Sequence, residues 1–133
     1  MDILDNLKKY FGYDSFRKGQ EELIKNILEG KDVLGVLPTG GGKSICYQLP
    51  ALMIDGICLV ISPLISLMKD QVDSLTENGI DAAFINSSQD IEAYTKTLRE
   101  IKNNKIKILY ISPERLENEF FINFIKNLNI SFI

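Results

Sequence analysis

Apolar residues recur along this chain in two rhythms, one helical and one of short continuous runs. Ile3, Leu4, Leu7, Tyr10 and Phe11 fall at helical spacing, and Gly12 is placed to end that helix. Leu23, Ile24, Ile27 and Leu28 form the apolar face of a second helix, which Gly30 stops. Residues 32–37 then make a short, mostly apolar run of the kind buried in parallel sheets, and predict a first strand. Residues 45–49 continue as a helix, in which Pro50 removes one backbone hydrogen bond and predicts a kink or an end.

The same alternation repeats to the end of the chain. Residues 57–61 read as a strand, followed by a helix with Leu64, Leu67, Met68, Val72 and Leu75 on one face as far as Gly79. Residues 82–85 read as the next strand, followed by a helix carrying Ile91, Tyr94, Leu98 and Ile101. Residues 106–111 form the last predicted strand, before a helix with Phe120, Phe121, Phe124, Ile125 and Leu128. Strand and helix in strict alternation predict an α/β fold, a parallel sheet with helices on both faces. In such sheets function gathers at the carboxyl ends of the strands.

Composition narrows the class. A length of 133 residues with 45% hydrophobic and 25% charged positions fits one globular domain with a real core. No apolar run approaches the length needed to cross a bilayer, so no membrane partner is expected. The N-terminus lacks a basic segment followed by an apolar one, which makes the cytoplasm the expected compartment. Cys46 and Cys58 have no metal-ligand spacing and the chain has no histidine, so both read as small buried hydrophobes. The net charge of −3 opposes a broadly basic nucleic-acid surface, and any such contact must be local.

Chemistry enters at residues 37–44. Gly40, Gly41 and Gly42 in succession let backbone N–H groups approach an anion without obstruction by a Cβ. Lys43 follows as a mobile charge for the β- and γ-phosphates, and the Ser44 hydroxyl is placed to ligate Mg²⁺ at a helix start that itself favours anions. A strand before and a helix after are the context that a phosphate-binding loop requires. Leu37 stands where the general loop pattern has its first glycine. A second feature is the pair Ser62-Pro63 and Ser112-Pro113, each at the carboxyl end of a predicted strand. Either pair can simply open a helix. Both lie on the rim of the phosphate loop, however, with Lys69 and Arg115 near in sequence, and two helix starts there would suit a nucleic-acid backbone.

Residues 11–22, with Phe11-Gly12-Tyr13, Phe16-Arg17 and Gln20-Glu21-Glu22, open a series of blocks. Pro38-Thr39-Gly40-Gly41-Gly42-Lys43-Ser44 with Cys46-Tyr47-Gln48, then Ser62 to Val72, then Tyr110 to Leu116 complete it. Together they resemble the RecQ family of ATP-dependent DNA helicases, in the order and spacing of the first RecA-like domain. That superfamily does not need glycine at Leu37, whereas Lys18 replaces the family's usual proline. The resemblance implies a RecA-like P-loop NTPase fold and an ATP site in which Tyr13 and Arg17 hold the adenine between an aromatic face and a guanidinium. Gln20 would bond the adenine's polar edge; Thr39, Gly40, Gly41, Gly42 and Lys43 would cradle the phosphates, with Lys43 as the catalytic residue and Ser44 on Mg²⁺. It further implies contact of single-stranded or junction DNA, through its backbone, with Ser62, Pro63, Leu64, Lys69, Ser112, Pro113 and Arg115.

The family's Asp-Glu-Ala-His box would follow residues 130–133, so the resemblance makes residues 1–133 the N-terminal part of that domain, cut before the box. A second RecA-like domain with its arginine finger is the expected companion. The reading is then a 3′-to-5′ DNA helicase, cytoplasmic or nucleoid-associated in a bacterium, whose present segment binds ATP but neither hydrolyses it usefully nor unwinds DNA. Two other classes remain open at this point: another P-loop enzyme such as a small-molecule kinase, and a nucleic-acid-binding module without ATPase activity.

Overall fold

A computed structural model describes residues 2–37 and 42–133. The chain divides into two compact units, with the boundary between Asp55 and Gly56.

The first unit holds α1 (Ile3–Phe11), α2 (Gln20–Leu28) and α3 (Lys43–Met53). The Asp2 carboxylate caps α1 by accepting from the Asp5 N–H at 2.8 Å, and Gly12 closes the helix in the left-handed conformation that its sequence position predicts. The three helices meet at Leu7, Ile24 and Leu49, all fully buried. Pro50 does not end α3, which runs on to Met53. A proline inside a helix removes its own N–H from the ladder and crowds the carbonyl one turn back, and here that cost is offset by burial, since Leu49, Pro50 and Ala51 are all buried.

The strand expected at residues 32–37 is absent. The segment joins no ladder among the described residues, and Leu34 and Val36 are 91% and 87% exposed. A continuous apolar run becomes a buried strand only when neighbouring strands take up its backbone N–H and C=O groups, and the described sheet does not include it.

The second unit is built on a parallel four-stranded sheet, β1 (Ile57–Ile61), β2 (Ala82–Ile85), β3 (Ile108–Ile111) and β4 (Ile130–Phe132), in the order β2-β3-β1-β4. Parallel strands need crossovers, and α4 (Ile65–Glu77) and α5 (Ile91–Lys102) supply two of them, with α6 (Glu119–Lys126) leading into β4. On one face Ile57, Leu59, Ile85, Leu109 and Ile111 pack with Ile101 of α5 and Phe121 of α6. The alternate residues Cys58, Ile108 and Tyr110 point the other way and are buried as well. β4 is a strand that the apolar pattern did not mark; it pairs with β1 through Ile57 and Ile130. Gly56 sits in the left-handed region beside the Asn129 carbonyl, 2.8 Å from where a Cβ would lie, so only glycine lets the two chains approach there.

The last predicted helix is in fact two elements. A 3-10 turn, Pro113–Glu117, follows β3, and Asn118 then caps α6 by accepting from the Phe121 N–H at 3.0 Å. An asparagine cap restarts the helix because its side-chain oxygen takes up one of the orphan N–H groups of the new first turn.

Candidate nucleotide site and nucleic-acid rim

In the first unit the described part of the phosphate loop is its end, Gly42-Lys43-Ser44; Thr39, Gly40 and Gly41 lie outside the described residues. Gly42 has φ 76° and precedes α3, and among the described residues no side chain caps the helix N-terminus on which Lys43 and Ser44 stand. Lys43 is exposed and Ser44 half-buried. Gln20, at the start of α2, is only 2% exposed, and its amide ties two segments together. Its Nε2 donates to the Gly42 carbonyl at 3.1 Å, and its Oε1 accepts from the Arg17 N–H at 2.8 Å. A Cβ on Gly42 would collide with that same Gln20 nitrogen. Glycine is therefore required at position 42 twice over, by its backbone angle and by its neighbour.

Thus the structure brings Arg17, Gln20, Gly42, Lys43 and Ser44 into one connected stretch, while Tyr13 is 52% exposed. An open groove of ≈ 680 Å³ runs beside it along the outside of α2, from Phe16 and Arg17 to Lys31, and does not include Gln20, Lys43 or Ser44. Burial pushes the Cys46 thiol up, which keeps this cysteine in the helix a neutral hydrophobe.

The second unit presents a rim of strand ends. Ile85, Ile111 and Ile61 are register partners across β2, β3 and β1, so the loops that follow them stand side by side. The ladder continues one residue further: Ser62 N–H donates to Ile111 O at 3.0 Å and Ser112 N–H to Ile85 O at 3.4 Å. Both serine-proline pairs are thereby fixed as neighbours. Neither serine caps an α-helix. The Ser62 hydroxyl accepts from the Leu64 N–H at 3.2 Å, closing a small turn before α4 begins at Ile65, and Ser112 precedes the 3-10 turn with no side-chain cap. The second phosphate-accepting α-helix start expected from the sequence is therefore a five-residue 3-10 turn, too short to gather a helix dipole.

Around these serines, Pro63, Leu64, Lys69 and Pro113 are exposed, Ser112 is buried and Arg115 half-buried. Lys69 pairs with Asp73 at 2.8 Å, one helical turn on, and that carboxylate raises its pKa. The Arg115 guanidinium donates to the Asn86 carbonyl at 3.2 Å and lies 4.9 Å from the centre of the Tyr94 ring. Asn86 and Tyr94 were not among the residues that the sequence singled out. The only signal was the polar run Asn86-Ser87-Ser88 at a strand's carboxyl end.

Comparison with known proteins gives the family. The profile of the DEAD/DEAH box helicase family matches residues 17–133. Among curated relatives, an ATP-dependent DNA helicase RecQ of Haemophilus influenzae is 53% identical over 98% of this chain and 21% of its own length. The RecQ helicase of Bacillus subtilis is 49% identical over 96% of this chain and 22% of its own. A solved structure, a hypothetical ATP-dependent RNA helicase from Sulfolobus tokodaii, superposes with a TM-score of 0.69 over 92% of this chain and 37% of that one, at 21% identity, and so shows the shared fold. The chain spans about a fifth of the length of the curated relatives it matches. With the profile covering nearly all of it, and with a parallel sheet and a helicase-like glycine-lysine-serine helix start, this chain belongs to the DEAD/DEAH box helicase family.

Proposed function

We propose that the protein is an ATP-dependent, 3′-to-5′ DNA helicase of the RecQ type, and that these residues bind ATP with Mg²⁺ and contribute part of the contact with the DNA backbone. The observation that carries the reading is the Gln20 tie, a buried amide bonded to Gly42 at the mouth of an open helix N-terminus. A phosphate chain suits that terminus because the free N–H groups and the helix dipole both favour anions. Lys43 would meet the terminal phosphates and Ser44 the metal, which neutralises charge on them when bound. Thr39, Gly40 and Gly41 would complete the cradle. Tyr13 and Arg17 would flank the base, and Gln20 would read its edge.

Backbone contact with single-stranded or junction DNA is assigned to Ser62, Pro63, Leu64, Lys69, Ser112 and Pro113, with Arg115 beside them. The neighbouring Ser62 and Ser112 turns support this, since the sheet register sets them side by side at the strand ends. Attack of water on a phosphoryl group needs a residue to position the water, a carboxylate near the metal and a positive charge on the transition state. Lys43 and Ser44 provide none of the first two, so hydrolysis and unwinding would require a second RecA-like domain and the acidic box. A cytoplasmic location, nucleoid-associated in a bacterium, goes with this activity.

The test is Mg-ATP binding by the Lys43→Ala variant. Because Lys43 is exposed, its loss should remove most nucleotide affinity while the thermal unfolding midpoint stays at that of the parent. Parent-like affinity in the variant would show that the loop does not hold phosphate.

A further inference from the structure

The 3-10 turn that carries Ser112-Pro113 at its start has little to hold it. It is five residues long, none of them is buried, and the serine before it makes no side-chain cap. Turns of this type have poor hydrogen-bond geometry and do not persist on their own strength. Here the chain places two bonds, Arg115 N–H to Ser112 O at 3.1 Å and Asn118 N–H to Arg115 O at 3.2 Å.

What the turn does have is the Arg115 side chain, which reaches back over the sheet rim to the loop after β2. That loop is a firm support. Asn86 is 1% exposed; its Nδ2 faces the Met68 sulfur at 3.4 Å, its Oδ1 accepts from the N–H and hydroxyl of Ser88, and its own N–H donates to Gln89 Oε1 at 3.3 Å. Gln89 Nε2 in turn donates to Phe84 O at 2.9 Å. Onto this knot Arg115 sets one guanidinium nitrogen, while the carbon of the same group lies over the Tyr94 ring. A planar guanidinium can bond in its edge and stack on its face at once, which an ammonium cannot do.

We propose that Arg115 is a positioning residue: by bridging the Asn86 carbonyl and the Tyr94 ring, it fixes the Ser112-Pro113 turn against the neighbouring loop at the place where that turn meets the DNA backbone. This rests on the DNA-contact reading above. It separates Arg115 from a direct phosphate ligand, because its effect passes through an uncharged partner. Tyr94 carries no charge and stands on α5, yet its removal should act like removal of the arginine's hold.

The experiment compares Arg115→Lys, Tyr94→Leu and Tyr94→Phe in two measurements, hydrogen exchange of the Asn118 amide in the free protein and affinity for a labelled oligothymidylate as salt is varied. Arg115→Lys and Tyr94→Leu should both speed exchange and weaken DNA binding by about fivefold, the size of a lost cation–π contact, while Tyr94→Phe stays near the parent. The slope of affinity against salt should not change in Tyr94→Leu, since no cation is lost. Unchanged exchange in both variants overturns the proposal, as does faster exchange with unchanged DNA affinity, or retained affinity in Arg115→Lys with a silent Tyr94→Leu. If the parent itself does not bind the oligonucleotide, the DNA-contact reading is what falls, and exchange still decides whether Arg115 holds the turn.

Discussion

Replacing Gly42 by alanine tests the centre of the proposed nucleotide site, and the structure supplies its own control. Gly12 and Gly42 share a φ of 76°, so alanine at either meets the same left-handed strain of roughly 1–2 kcal/mol, partly offset by about 0.4–1 kcal/mol from the stiffer unfolded chain. Around Gly12 nothing lies within 4 Å of the new methyl group. At Gly42 the methyl group meets the Gln20 amide, whose side chain is buried and bonded at both ends, so it cannot swing away without releasing Gly42 O and Arg17 N–H. Two lost hydrogen bonds at about 1 kcal/mol each make Gly42→Ala about 2 kcal/mol worse than Gly12→Ala. Urea unfolding of the two variants reads that difference, and Mg-ATP titration reads its consequence, because displacing Gln20 disturbs the helix start and, on the proposed reading, the base edge with it. The double variant Gly42→Ala with Gln20→Ala should recover part of the loss, since the collision goes with the amide. Equal unfolding midpoints for Gly12→Ala and Gly42→Ala, with no coupling to Gln20, would refute the reasoning.

Gln20→Ala alone should lower the preference for ATP over GTP by about 1–2 kcal/mol, the cost of buried polar groups left unpaired; unchanged selectivity in competitive titrations would reduce the amide to a purely structural tie. Burial raises the Cys58 thiol from its ordinary value of 9.0 to about 12, so its contribution to stability is complete below pH 9 and falls as pH climbs from there through 12, where the unfolded chain has released its proton and the folded one has not. Unfolding midpoints measured up that range should decline less in Cys58→Ala than in the parent, and parallel declines would contradict a buried neutral thiol.

How much of this could be read from the sequence depended on whether the cause was local. Residues 57–61 and 82–85 are strands with the bounds that their apolar runs gave, and 106–111 shortens only to Ile108–Ile111, because a run flanked by polar and glycine residues carries its own limits. The same pattern misled at residues 32–37, where the missing ingredient is a neighbouring strand, which no local run can announce. β4 escaped for the opposite reason: three residues are too few to set a rhythm, and pairing with β1 makes the strand. At the site, glycine, lysine and serine in succession declared an open helix start. The partners of Arg115 did not declare themselves, since Asn86 lies 29 positions away and only the sheet register brings it to the same rim.

If the rim binds DNA as proposed, its charge decides what that binding should look like. Of the residues assigned to the backbone contact, two are cations, and they are differently placed. Arg115 turns inward to Asn86 and Tyr94. Lys69 is exposed, and its bridge to Asp73 is an exposed pair one helical turn apart, screened by solvent and easily exchanged for a phosphate. A lysine is charged throughout the neutral range, so the exchange keeps a cation on the rim. Serine hydroxyls and backbone N–H groups bond phosphate oxygens but displace no counterions of their own. One available cation then implies that log K for single-stranded DNA falls with log salt at a slope of about −0.7, against about −1.4 if Arg115 also neutralised a phosphate. Binding isotherms at several salt concentrations, for the parent and for Lys69→Gln, settle the count: the variant should lose nearly all of the slope and keep a salt-insensitive remainder from the Ser62 and Ser112 turns. A slope in Lys69→Gln as steep as in the parent would mean that other cations carry the contact, and that the rim of strand ends is not where this protein meets DNA.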